Sequence, residues 1–231
     1  MKTIKHSSED EMILEFLKGE YNSKRFNNDL INAINKLNLD GNVITNGNLL
    51  SNEENKSRKE IMGLFRGYPD KELFNNFPKN IDWEFVQFDA EDLDKIYYIN
   101  YDYWNELSNN TSKPVEAAKN IRNGIEIYEV SNKPFIDGVN YIDDFPPVIL
   151  LTCNDYKYLI IEGHSRMTVY GLHPDRFNNT YGFIGHCSKE EMSLYDLPKN
   201  LYGGIVNAEF ASLFSPGIDW AIPLHQLDTS L

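Results

Sequence analysis

The chain has 231 residues, 41% hydrophobic, 25% charged and 13% aromatic, so it has the material for a buried core and is not a disordered polypeptide. With 22 Lys and Arg against 35 Asp and Glu the net charge is −13, and no basic cluster interrupts it. Long duplex DNA, which is held by releasing phosphate counterions to a basic surface, is therefore not an expected partner. No run reaches the ~18 apolar residues of a membrane-spanning helix. The opening MKTIKHSSEDEM lacks the apolar stretch of a signal peptide. Two cysteines, Cys153 and Cys187, make no disulfide framework, and a reducing cytoplasm is the expected compartment.

Residues 9–20 place Met12, Ile13, Phe16 and Leu17 on one helical face, with acids in the first turn. Residues 27–38 repeat the pattern through Leu30, Ile31, Ile34 and Leu37, and Leu39-Asp40-Gly41-Asn42 stops it. Residues 51–66 predict a third helix, with Ser51 as N-cap and Glu54 at capping-box spacing. The first ~70 residues thus read as helical. After Gly67-Tyr68-Pro69 the texture changes. Trp83 to Phe88 alternates as a strand does, and the aromatic Tyr97 to Trp104 reads as a second strand or an aromatic turn. Residues 113–124 predict a helix with Pro114 at its start and Gly124 at its end. Val148 to Leu151, led by Pro146-Pro147, and Lys157 to Ile161 read as buried strands separated by Asn154-Asp155. Residues 164–172 read as a helix and 181–187 as a strand. Residues 188–195 read as a helix capped by Ser188 and Glu191. The tail from residue 198, with Gly203-Gly204, receives no assignment.

The stretch from Tyr158 to Gly171, YLIIEGHSRMTVYG, carries the most chemistry. A buried strand ends in Glu162-Gly163-His164-Ser165-Arg166 and a helix follows at once. Gly163 permits a tight turn, and the free amides of the new helix favour an anion, phosphate in particular. Arg166 is placed to fork onto phosphate or carboxylate oxygens, His164 to donate, accept or shuttle a proton, and Glu162 to act as a base or hold a metal–nucleotide complex. The same residues also have a purely structural reading. Ser165 caps the helix, Glu162 pairs with Arg166, and His164 is an internal histidine.

The order KPVEAAKNIRNGI, PPVILL, YLIIEGHSRMTVYGL resembles the ParB/sulfiredoxin superfamily over roughly residues 81–187, most specifically over 113–172. There a helix ends in glycine, a proline introduces a strand, and a hairpin leads into a G-x-x-R turn that opens a helix. The chain also resembles a group of uncharacterised bacterial proteins. That resemblance rests on Arg66-Gly67-Tyr68-Pro69, Leu73-Phe74, Phe77-Pro78, Trp83 and the turn from Glu162 to Tyr170, with Val169 where their pattern has alanine. Sulfiredoxins carry G-C-H-R, and His164 stands here at the position of their nucleophilic cysteine. ParB proteins carry G-E-R-R, of which Gly163 and Arg166 match, but no helix-turn-helix follows. The superfamily's free-serine kinases carry D-G-H-H-R. Gly163, His164 and Arg166 match it, Glu162 replaces the Asp conservatively, and Ser165 departs. The kinases' catalytic glutamate has no aligned counterpart.

The resemblance implies an α+β protein. A helical N-terminal part (1–70) precedes a ParB/sulfiredoxin-like core (71–197) with a small mixed sheet and flanking helices, and a C-terminal extension (198–231) follows. It implies a nucleotide- or phosphate-binding site, with phosphotransferase or nucleotide-hydrolase activity to match. Glu162 and His164 are then the catalytic candidates. Gly163, Ser165, Arg166 and Thr168 are the contacts to ATP or another nucleotide with Mg²⁺, and no protein metal site is expected. The alternative is a non-enzymatic protein-interaction module, and a nuclease is the third reading. Around this turn, Asp89, Glu91, Asp92 and Asp94 read as a solvated helix start. Asp137, Asp143 and Asp144 read either as surface acids or as carboxylates approaching the turn. His164, His173 and His186 lack zinc-like spacing. Tyr97, Tyr98, Tyr101, Tyr103 and Trp104 read as a stacking surface or a core seam. Arg122 reads as a second cation at the turn or as a surface charge.

Overall fold

The computed structural model describes residues 1–22, 26–71, 74–154 and 156–196. The expectations for Leu73, Asp155 and the tail from residue 198 lie outside the described residues. The described chain is a mixed α and β structure: six strands form one sheet, with helices at the N terminus and along the sheet.

The N-terminal helices follow the apolar spacing. α1 (Glu9–Asn22), α2 (Asn27–Lys36) and α4 (Asn52–Arg66) turn Ile13, Leu17, Leu30, Ile34, Ile61 and Phe65 into one buried cluster, and the short α3 (Asn42–Thr45) packs beside α1 and α4. Ser51 caps α4 by accepting from the Glu54 amide at 3.3 Å, and Gly67 ends it at φ +75°. The stretch Arg66-Gly67-Tyr68-Pro69 is structural. The buried Arg66 guanidinium lies over the rings of Phe26 at 4.3 Å and Phe65 at 4.8 Å and faces Glu20 at 3.4 Å. Tyr68 donates its hydroxyl to Glu9 of α1.

One expectation for this region is corrected. Residues Lys2–Ser7 form a strand, β1, that pairs antiparallel with β2 (Asp82–Gln87) at the edge of the sheet. Its first five residues are exposed and lack alternation, and a register shift falls between Thr3 and Lys5. The strand is held by main-chain pairing, with lysines on an open edge where they discourage further pairing. The N-terminal part is thus not wholly helical: its first strand belongs to the common sheet.

Four more strands follow, β3 (Ile96–Tyr97), β4 (Val148–Thr152), β5 (Tyr158–Glu162) and β6 (Tyr181–His186), and the sheet order is β1-β2-β6-β4-β5-β3. β3 runs parallel to β5, β5 antiparallel to β4, β4 parallel to β6, and β6 antiparallel to β2. β6 and β4 lie at its centre, and β4 and its neighbour β5 are buried along their whole lengths. The acidic segment after β2 is a short 3-10 helix, Ala90–Lys95, with an Asp89–Asp92 capping box. Asp89, Glu91 and Asp94 are solvated as expected, whereas Asp92 is buried. The aromatic segment resolves into two elements: β3 stops at Tyr97, and Asp102–Leu107 forms α5, whose Tyr103, Trp104 and Leu107 are buried. α6 (Pro114–Arg122) has proline in its first turn, and Gly124 follows at φ +72°. α7 (Lys133–Asp137) and a 3-10 turn (Gly138–Asp144) lead to β4. α8 (His164–Leu172) follows β5, and a 3-10 turn (Pro174–Arg176) precedes β6. α9 (Lys189–Tyr195) carries the expected Ser188–Glu191 capping box. No helix among the described residues is long and apolar enough to cross a membrane.

Candidate functional site

β5 ends at Glu162, Gly163 turns the chain, and α8 starts at His164. Gly163 has φ +105°, and a Cβ there would stand 2.9 Å from Val148 Cγ1 and 3.3 Å from Arg166 Cζ. Both the dihedral and the space call for glycine. Gly163→Ala is expected to cost about 2 kcal/mol, read as a lower urea midpoint, with Val148→Ala relieving the contact but not the dihedral.

Gly163 is also the N-cap, so no side chain caps α8. Its first internal hydrogen bond runs from the Met167 amide to the Gly163 carbonyl at 2.8 Å. The amides of His164, Ser165 and Arg166 precede that bond and carry the positive end of the helix dipole. Ser165 is buried beside them and does not cap.

Arg166 sits elsewhere than the sequence reading placed it. Its guanidinium donates to the carbonyls of Pro146 and Pro147, the latter at 2.9 Å, and faces Glu162 at 3.3 Å. Arg166 and Glu162 are 7% and 8% exposed. The fork expected to take phosphate oxygens instead ties the first turn of α8 to the residues that launch β4. The Glu162–Arg166 pairing, read from sequence as the structural alternative, is present.

His164 stacks on Trp104, centroids 5.5 Å apart with planes 21° from parallel, and is nearly parallel to Tyr98 at 6.1 Å. Tyr98 and Trp104 stack on each other at 4.6 Å. His164 Nε2 is buried without a hydrogen-bond partner among the described residues. Burial pushes the imidazole pKa down to about 4; Glu162 opposes the shift and Arg166 adds to it. At neutral pH the ring is uncharged, so it offers a lone pair and one N–H and is not a standing cation.

Thr168 gives its hydroxyl proton to the His164 carbonyl at 2.9 Å, so the Tyr98 hydroxyl, 2.6 Å away, donates to Thr168 Oγ1. Thr168 is fully buried and therefore acts as a brace behind the turn, not as a ligand contact. The aromatic segment is a core seam, and Trp104 and Tyr98 also form the wall of the turn. Sequence reading had the right residues but no signal that joined them to His164.

Three of the remaining candidates, Arg122, Asp137 and Asp143, have partners outside the turn. Arg122 donates to the carbonyls of Gly171 at 3.3 Å and Leu172, the far end of α8, which excludes it as a second cation at the amides. Asp143 pairs with Arg176 at 2.5 Å and Asp137 with Lys133 at 2.5 Å. No group of three or more His, Cys, Asp or Glu side chains among the described residues is placed to hold a metal ion. Comparison of the chain with protein-family models, curated proteins and solved structures gives no match.

Proposed function

We propose that the protein binds a nucleotide, or another small phosphate-bearing ligand, at the turn from Glu162 to Arg166. The observation that carries this reading is the uncapped start of α8, set beside a neutral, half-buried imidazole whose buried Nε2 has no partner among the described residues. The amides of His164, Ser165 and Arg166 receive phosphate oxygens, and Gly163, without a Cβ, permits the close turn against Val148 and Arg166 that sets them there. Arg166 adds positive potential from its internal position. His164 accepts or relays a proton, and Glu162 is the nearby carboxylate toward Mg²⁺ carried by the nucleotide. The resemblance of this turn to D-G-H-H-R supports ATP or a related nucleotide, with phosphoryl transfer or hydrolysis as the reaction class. The net charge of −13 favours a small, metal-neutralised ligand over a nucleic-acid duplex.

Calorimetric titration with ATP, CTP, GTP and their diphosphates, each with Mg²⁺, is expected to show saturable binding of at least one. Lack of binding at millimolar nucleotide would sink the reading. One observation favours the second reading, a non-enzymatic interaction module: the internal engagement of Arg166 lets the turn serve the fold alone. In that case every titration is flat, and the Arg166→Ala phenotype is confined to stability.

A further inference from the structure

The chain's two cysteines stand outside the turn, and both are free. β4 and β6 run parallel with Thr152 opposite His186, and the ladder continues one step, the Cys187 amide donating to the Thr152 carbonyl at 2.9 Å. The next register position therefore sets Cys153 beside Cys187. Residues in register on parallel strands project to the same face, and both cysteines pack, partly buried, against the hydrophobic core. Paired strands lie about 4.8 Å apart, within the ~4.4–6.8 Å Cα separation that a disulfide spans. Polar groups frame the two sulfurs: the Asn154 amide reaches Cys153 Sγ at 3.4 Å, and Cys187 Sγ donates to the Thr152 carbonyl at 3.6 Å.

We propose that Cys153 and Cys187 form a reversible intrachain disulfide joining the end of β4 to the end of β6. The oxidant is a small disulfide such as oxidised glutathione. The Cys153 thiolate attacks it, its S–S bond breaks, and one glutathione thiolate leaves. Cys187 then gives up its proton, its sulfur attacks the Cys153 sulfur, and the second glutathione thiolate leaves. The protein loses two protons and two electrons, and one oxidised glutathione becomes two reduced molecules. The surroundings set this order. Burial, and then the neighbouring Cys153, push the Cys187 thiol up to about 11, so it waits protonated. Once Cys153 is in the mixed disulfide, its charge no longer opposes ionisation of Cys187.

The pair lies at the opposite end of β4 from Val148, the residue that touches Gly163, so the cross-link leaves the α8 amides untouched. It closes the chain from 153 to 187, and the oxidised form should therefore resist unfolding better than the reduced one.

The test is intact-mass and peptide analysis of the native full-length chain equilibrated with reduced and oxidised glutathione, then trapped by alkylation. The expected product has lost both thiols and two hydrogens, with a single Cys153–Cys187 cross-linked peptide, and dithiothreitol restores it. Cys187→Ser should instead accumulate one glutathione on Cys153, and Cys153→Ser should leave Cys187 largely unmodified. A wild-type product that stops at the mixed disulfide, links two chains, or keeps both thiols in oxidised buffer overturns the proposal.

Discussion

Arg166→Ala is expected to lower the stability of the protein by about 3–5 kcal/mol, a large part of the ~5–15 kcal/mol that holds a typical fold. The guanidinium is the partner of three acceptors: the carbonyls of Pro146 and Pro147, and Glu162. Truncation strands a carboxylate that is 8% exposed beside two carbonyls that lose their donor. Removing one member of a buried pair costs more than the pair contributes, because the surviving charge stays desolvated. Arg166→Lys should recover little, since an ammonium lacks the planar fork that serves two carbonyls and a carboxylate together. Glu162→Gln should be milder, because its amide oxygen still accepts from Arg166. Urea unfolding of the three single variants and the Arg166→Ala/Glu162→Gln double variant gives the coupling directly. If Arg166→Ala unfolds within about 1 kcal/mol of wild type, the guanidinium is not the lock described here. Nucleotide titration of the same variants at low denaturant separates lost binding from lost fold.

The strand-to-helix turn was legible in the sequence because each of its parts is a local signal. An apolar run, a glycine and a stretch of helical spacing follow one another within Tyr158–Gly171, and all fall where they were read. The N-cap at Ser51 and the capping box at Ser188 were readable for the same reason, although Glu54 turns its carboxylate to the Asn48 amide and leaves the box at Ser51 incomplete. What failed was what depends on partners distant in sequence. β1 has no buried face to leave a pattern, because it is specified by main-chain pairing with β2. α5 was concealed by aromatic residues that favour strands in isolation, and packing of Tyr103, Trp104 and Leu107 into the core decides in favour of helix. The acceptors of Arg166 are carbonyls of prolines, and carbonyls leave no trace in residue type. The two prolines were read as punctuation before β4, yet their oxygens turn Arg166 away from the role its side-chain chemistry suggested.

The second large effect is a dependence of stability on pH carried by His164. Its pKa in the folded protein is about 4, against 6.5 for an unperturbed imidazole, and burial is the leading cause. Above pH 6.5 the ring is neutral in both states and its contribution to stability is fully present. As pH falls from 6.5 toward 4 the unfolded chain takes up a proton that the folded chain refuses, so stability is lost. The accumulated loss is about 3 kcal/mol. Below about pH 4 the folded protein takes up the proton too, and this group removes no more. Urea midpoints across this range should therefore fall for wild type and fall less for His164→Phe, which keeps a ring on Trp104 and removes the titration. Identical slopes in the two proteins would exclude His164 as the source. The same measurement reports on the proposed ligand. A phosphate at the amides of Ser165 and Arg166 places negative charge beside the imidazole and favours its protonated form. Saturating nucleotide should then flatten the wild-type slope and leave that of His164→Phe unchanged. The module reading expects nucleotide to alter neither.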